Sequence, residues 1–176
     1  VRSLGKFSFF MQGGFDGVNL FSEDKVKLTN AAVKREIDDS SQFQGNGPTV
    51  SAYKKALTIM GNPSDVAIKL LAIPGIRHSS VTDIGLSTAL DRFDTLYVMD
   101  IEERDTLNTV VTSSVQDVSV TNTITSFKNR GLDTSWGAAY FPDAIVTDPY
   151  TQTNVRVAPS VAVMGAFALN DAVAFP

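Results

Sequence analysis

Two near-continuous apolar runs, separated by one stretch of helical periodicity, constrain this chain more than any other feature. Val66-Ala67-Ile68-Lys69-Leu70-Leu71-Ala72-Ile73 is closed by Pro74-Gly75. Thr95-Leu96-Tyr97-Val98-Met99-Asp100-Ile101 follows it, after a segment at 81–92 that carries Ile84, Leu86 and Leu90. A strand that is apolar at nearly every position has no wet face. It belongs in a parallel sheet covered on both sides. Parallel neighbours need a long crossover, usually a helix wound right-handed.

The flanking sequence extends the alternation. Residues 50–60 place Tyr53, Ala56, Leu57 and Met60 at helical spacing, with Gly61 just past the end. Residues 114–130 place Val120, Ile124 and Phe127 at i, i+4, i+7 before Gly131, although the Thr/Ser/Val-rich stretch at 106–125 is β-prone. Residues 136–147 predict a third strand, and 160–169 a last helix with Pro159 near its start. Upstream, Leu4 to Met11 predicts a strand ended by Gly13-Gly14, residues 23–37 are loosely helical, and the polar segment 38–49 predicts a loop. The expected fold class is α/β: a three-layer core with a mainly parallel sheet flanked by helices, plus a peripheral N-terminal strand and turn. The expected division is 1–49, a strand, glycine turn and polar loop packed on the core, and 50–176, the α/β core.

Composition narrows the function classes. The 176 residues contain no cysteine, which excludes a disulfide framework, a thiolate metal site and a cysteine nucleophile. The net charge is −4 and no Lys/Arg cluster exceeds Lys54-Lys55 or Lys34-Arg35, so no nucleic-acid partner is expected. No apolar run approaches the roughly 20 residues that span a bilayer. The chain opens on Val1 and stops in the apolar run Ala172 to Pro176, which reads as a piece of a longer protein.

Four groups invite chemistry. His78, the single histidine, sits beside Ser79 and Ser80 just after a predicted strand, where ligands of open α/β sheets bind. Adjacent residues do not align as nucleophile and base, however, and Gly-x-Ser-x-Gly is missing. The better reading is a polar loop in which Ser80 or Thr82 caps the next helix. Asp100, Glu102, Glu103 and Asp105 could hold Mg²⁺ or act as acid and base, but they read as a solvated loop or interface charge partly neutralised by Arg104. Gly13, Gly14 and Gly17 lack the Lys and Ser/Thr of a phosphate loop, so they predict a tight turn around Asp16. Trp136 and Tyr140 share one strand face and read as core. No catalytic residue, metal or cofactor is expected.

Taken in order, the remaining segments resemble one family. Phe10-Met11-Gln12-Gly13-Gly14-Phe15-Asp16-Gly17 resembles the aromatic-x-x-Gly-Gly-x-Asp-Gly turn of contractile phage tail sheath proteins. Tyr53-Lys54-Lys55-Ala56-Leu57 resembles the helix that follows it. Asp65 to Gly75 resembles the family strand ending Leu-x-Ile-Pro-Gly at Pro74 and Gly75, and Leu96 to Asp100 is similar to the next strand. Ala138-Ala139-Tyr140-Phe141-Pro142, with Val146-Thr147-Asp148-Pro149, resembles a strand of the form Ala-x-Tyr-aromatic-Pro … Asp-Pro. Val157 to Asp171, through Pro159, Ser160, Gly165 and Ala168, resembles Val-Pro-Pro-Ser-x-x-x-x-Gly-x-x-Ala-x-x-Asp, with Ala158 in place of the first proline. The similarity runs over about residues 9–176, and no Trp follows Pro142 as it does in the family.

The resemblance implies a structural protein of the virion, assembled in the host cytoplasm, and no enzyme. Its implied partners are further copies of itself in a sheath lattice, a tail tube protein and baseplate proteins. It implies that a strained helical lattice contracts and drives the tube through the host cell envelope, by bistable packing of identical interfaces. The alternative reading of the residues is an α/β enzyme or nucleotide-binding domain with a site at loops 74–80 and 100–105.

Overall fold

The computed structural model describes residues 28–38, 45–112 and 116–173. The strand expected at 4–11 and the turn with Gly13, Gly14, Asp16 and Gly17 lie outside the described residues. Within them the chain is mixed α/β. The order is α1 (Asn30–Asp38), α2 (Pro48–Met60), β1 (Leu70–Ala72), α3 (Ser79–Arg92), β2 (Leu96–Asp100) and α4 (Val120–Lys128). Then come β3 (Gly137–Tyr140), β4 (Ala144–Thr147), β5 (Asn154–Val157) and α5 (Pro159–Val173). β1, β2 and β3 form a parallel sheet in that order, and β4 pairs with β5 antiparallel.

The three expected strands are therefore parallel neighbours, but their extents differ from expectation. β1 keeps only Leu70–Ala72 of the run at 66–73. Upstream, the Val66 carbonyl accepts from Arg92 Nη2 at 2.9 Å and the Ile68 carbonyl from the Thr95 hydroxyl at 3.1 Å. Those side chains occupy acceptors that a longer ladder would use. The expected strand 136–147 is two strands. Gly137–Tyr140 lies beside β2; then, past the cis Phe141–Pro142 bond, Ala144–Thr147 pairs with β5 instead. Proline brings no N–H to a ladder, so the pairing ends there. β5, which the sequence reading did not anticipate, is four residues with Arg156 in the middle.

Helix limits shift for local reasons. The polar segment 38–49 is helical at both described ends: α1 runs through Asp38 and α2 starts at Pro48, with Gly47 as its N-cap. Proline suits a first turn, where its missing N–H costs nothing. The helix expected at 114–130 is described only as Val120–Lys128, with Ser119 as N-cap. Of its apolar series only Phe127 packs on the core. Val120 and Ile124 are exposed, and the buried residue is Thr123, whose hydroxyl accepts the Arg104 N–H at 2.9 Å.

Two apolar clusters meet at the sheet. Tyr97, Met99 and Ile101 alternate onto one face of β2 and pack with Leu86 and Ala89 of α3, against Phe127, Trp136 and Phe141. Val33, Val50, Leu57, Ile76 and Val81 form the second cluster, and Leu71 and Ile73 touch both. Fully burying each large side chain is worth about 1.5–3 kcal/mol. α3 approaches β2 at Gly85, where an added Cβ would lie 2.8 Å from Tyr97 Cζ. Burial above all, with the Asp100 charge behind it, pushes the Tyr97 hydroxyl well above its ordinary pKa.

One carboxylate and one guanidinium hold the frame together from inside. Glu36 is buried and accepts the N–H groups of Thr49 and Val50 at 3.0 Å each, an anion on the first turn of α2. Arg92 is buried too. It reaches Met60 O, Val66 O, Asp94 and Thr95 from the last turn of α3. Among the described residues, no helix is long and apolar enough to cross a membrane.

Candidate functional site

The carboxyl ends of the three parallel strands converge, as in other open α/β sheets. After β1 the chain turns through Pro74-Gly75. Ile76 N–H bonds to Ile73 O at 3.2 Å, and Gly75 has φ +79°, which suits the third position of a type II turn. The turn presents the Gly75 N–H to Asp100 Oδ2 at 2.9 Å. Asp100 ends β2, opposite Tyr140 in register, on the face away from Tyr97 and Met99. Its two oxygens also take the N–H and hydroxyl of Ser160, at 2.8 and 2.7 Å, in the first turn of α5. A buried carboxylate with three donors and a helix N-terminus is well compensated without a cation.

Beside it lies a closed ring of alternating charge. Arg77, after β1, pairs with Asp143 and stands 3.6 Å from Glu103. Arg156, on β5, pairs with Glu103 and with Asp143, the latter at 2.7 Å. The Asp143 N–H closes the figure on Glu103 Oε1 at 3.2 Å. The hydrogen-bonded Asp143 carboxylate, with Glu103 beyond it, raises the Arg156 guanidinium above its ordinary pKa. The ring ties the loops after β1 and β2 to the β4–β5 ribbon. It walls a cleft of about 290 Å³ that Asn30 and Lys34 complete. Every charge of the ring has its opposite within the ring.

The sequence-predicted residues divide accordingly. Loops 74–80 and 100–105 do come together, through Gly75, Arg77 and Glu103. The acidic run is not a solvated loop throughout. Asp100 and Glu103 are buried, 1% and 2% exposed, because the donors they serve sit inside the fold. Asp105 instead turns on the local backbone and the Thr109 hydroxyl, whose hydrogen bond holds its carboxyl below the usual range. The next helix is capped by His78 and not by Ser80 or Thr82. His78 Nδ1 accepts the Ser80 N–H at 3.2 Å and lies 2.9 Å from the Ser80 hydroxyl. Asn30 Oδ1 takes the N–H groups of Arg77 and His78.

Trp136 packs beside the core and meets Phe93 edge-on at 6.3 Å. Asp148 and Pro149 form the β4–β5 turn. The carboxylate of Asp148 binds the Thr151 hydroxyl at 2.6 Å and the Tyr150 N–H at 3.0 Å. Pro159 is buried at the start of α5, while Gly165 and Asp171 are exposed along it. Among the described residues no group of three or more His, Asp or Glu side chains is placed to hold a metal ion.

Sequence reasoning missed Arg77, Asp143 and Arg156 as members of one cluster, and Glu36 and Arg92 as buried anchors. The available signal was weak. Arg156 stands between two valines in a strand-like run, and Arg92 precedes Asp94 and Thr95. No protein-family model, no curated protein and no solved structure matches the chain.

Proposed function

We propose that the chain is a structural subunit of a contractile tail sheath, which polymerises around a tail tube and contracts to drive it through a host cell envelope. The observation that carries the reading is apolar surface turned outward on two elements. α5 has one charged residue, Asp171, and only Pro159 and Ser160 buried; Leu169 is 66% and Val173 78% exposed. In the β4–β5 ribbon Ile145 is 73% exposed, and Val146 and Val155, paired across it, are exposed as well. A helix without a polar face, and a two-stranded ribbon, are poorly stable in water alone and suit burial against neighbours. A lattice of identical subunits supplies such neighbours. The ordered motif series from Phe10 to Asp171 supports that particular lattice. In this reading the parallel sheet is the middle of a three-layer core, with α3 on one face and α5, completed by adjoining subunits, on the other.

Producing the complete gene product that carries this sequence, with its tube protein, and imaging it by negative-stain electron microscopy tests the proposal. Tubes or stacked rings of constant diameter are expected. Dispersed particles under all such conditions would overturn it. The alternative, an α/β enzyme at loops 74–80 and 100–105, has the converging cleft in its favour. It predicts turnover abolished by Glu103→Gln, but the ring's mutual pairing leaves it the weaker reading.

A further inference from the structure

Asn46 and Gly47 stand directly before α2, and Asn46 is the one asparagine of the chain that is followed by glycine. Packing requires that glycine. A Cβ on Gly47 would lie 2.3 Å from the Cδ and Oε2 of the buried Glu36, whose oxygens hold Thr49 and Val50. Asn46 itself is exposed. An asparagine before glycine carries both an electrophile and its nucleophile. The side-chain Cγ and the next main-chain nitrogen can close a five-membered imide, and glycine has no side chain to hinder the approach.

Three contacts favour that ring closure here. The Gly47 N–H has no acceptor among the described residues, so its nitrogen gives up no hydrogen bond when it attacks. Lys54 Nζ donates to Asn46 Oδ1 at 2.6 Å, which places an ammonium on the oxygen where charge develops as Cγ becomes tetrahedral. The Ser51 hydroxyl donates to the Asn46 main-chain carbonyl at 3.1 Å, so the second carbonyl of the imide is polarised as well. The attack is intramolecular and does not need Gly47, which is buried, to open to solvent.

We propose that Asn46 is a self-modification site, which deamidates through a cyclic imide with the assistance of Lys54. The Gly47 nitrogen bonds to Asn46 Cγ, the Cγ–Nδ2 bond breaks, and Nδ2 leaves as ammonia with the Gly47 proton. Water then opens the imide. Attack at Cγ leaves aspartate at position 46 in an ordinary main chain; attack at the main-chain carbonyl carbon leaves isoaspartate, linked through Cγ. Either product adds a negative charge beside Lys54, at the end of α2 that favours anions. Isoaspartate also lengthens the main chain by one carbon just where Gly47 lies against Glu36. The modification does not rest on the sheath reading, so either can fail alone.

The test is to hold the protein in warm, mildly alkaline buffer and follow each asparagine by peptide mapping and mass spectrometry. Aspartate and isoaspartate are expected to accumulate at position 46 ahead of every other asparagine. Lys54→Met, which keeps an apolar stem and removes the ammonium, should slow the reaction at Asn46 roughly tenfold, the worth of one charge-assisted hydrogen bond in the transition state. Unfolding the unaltered chain in urea should slow it likewise, because Lys54 then leaves Asn46, whereas urea should change little in the Lys54→Met chain. Asn46 intact while another asparagine reacts would overturn the proposal. So would an unchanged or faster rate in Lys54→Met, or a faster rate at Asn46 in urea, since Lys54 would then not activate the amide.

Discussion

Ser160 gives both its backbone N–H and its hydroxyl to Asp100, a residue sixty positions earlier in the chain. The pair joins the start of α5 to the end of β2, and the Gly75 N–H on the same carboxylate adds the turn after β1. One buried side chain thus positions three segments at once.

Asp100→Asn should therefore cost more than a single hydrogen bond. The amide keeps one acceptor oxygen and turns an NH₂ group toward a donor, and the charge that faces the helix N-terminus is lost. A loss of about 2–3 kcal/mol is expected. Ser160→Ala, which removes only the hydroxyl, should cost about 1 kcal/mol. Urea unfolding of both variants checks this; an Asp100→Asn midpoint equal to that of the unaltered chain would refute the central role given to Asp100.

The charge ring predicts non-additivity. Glu103→Gln leaves Arg77 with Asp143 alone and uncouples Arg156 from the strand-end loop, so about 3 kcal/mol should be lost for so buried a carboxylate. Arg156→Gln should cost less, since Arg156 is about one-third exposed and solvent screens it. The double variant should fall short of the sum by about 1 kcal/mol or more, as partners in one network do. Additivity within the error of chemical denaturation would show that the ring does not act as a unit.

How much of this was legible beforehand depended on the range of the interaction. The parallel order of β1, β2 and β3 follows from apolar runs and crossovers, which are local patterns. The Pro74-Gly75 turn was equally plain, because a fixed proline φ and a glycine able to take φ +79° sit side by side. The ring was not legible. Arg77, Glu103, Asp143 and Arg156 lie on four separate segments, and no spacing announces that they meet. The helix at 120–128 misled in part for the opposite reason: Val120, Ile124 and Phe127 have the right period, but only Phe127 packs on the core, and the fully buried contact is the hydroxyl of Thr123 on the Arg104 N–H. The apolar outer face of α5 was visible as composition, yet only its placement shows that the described residues leave it uncovered.

Asp148 supplies a pH dependence. The Thr151 hydroxyl, then the Tyr150 N–H, holds its carboxyl below the usual range. A depressed folded-state pKa means that its contribution to the β4–β5 turn is complete above the unfolded value of about 3.9 and is lost as pH falls through the folded value. The Tyr150 and Thr151 amide signals should therefore titrate with a midpoint below that of a free aspartate, and Asp148→Asn should remove the transition. A midpoint at or above the ordinary value would contradict the turn geometry.

Gly165 separates the stability of the subunit from its assembly. It lies midway along α5, where glycine is less favourable than alanine by about 0.8–1 kcal/mol. A tightly packed helix can justify that cost through close approach, as Gly85 does beneath Tyr97. At Gly165, however, an added Cβ would meet nothing within 4 Å among the described residues. Gly165→Ala should accordingly stabilise the isolated chain by about 0.5–1 kcal/mol, read as a higher denaturation midpoint with an unchanged slope. If α5 packs closely against a neighbouring subunit at this point, the same methyl group should hinder assembly of the complete protein, giving fewer or shorter tubes under the electron microscope. A variant that is both more stable and assembles as well as the original would show that no neighbour approaches at Gly165, and would remove α5 from the proposed lattice contact. A variant that is less stable would show that Gly165 is already packed within its own chain.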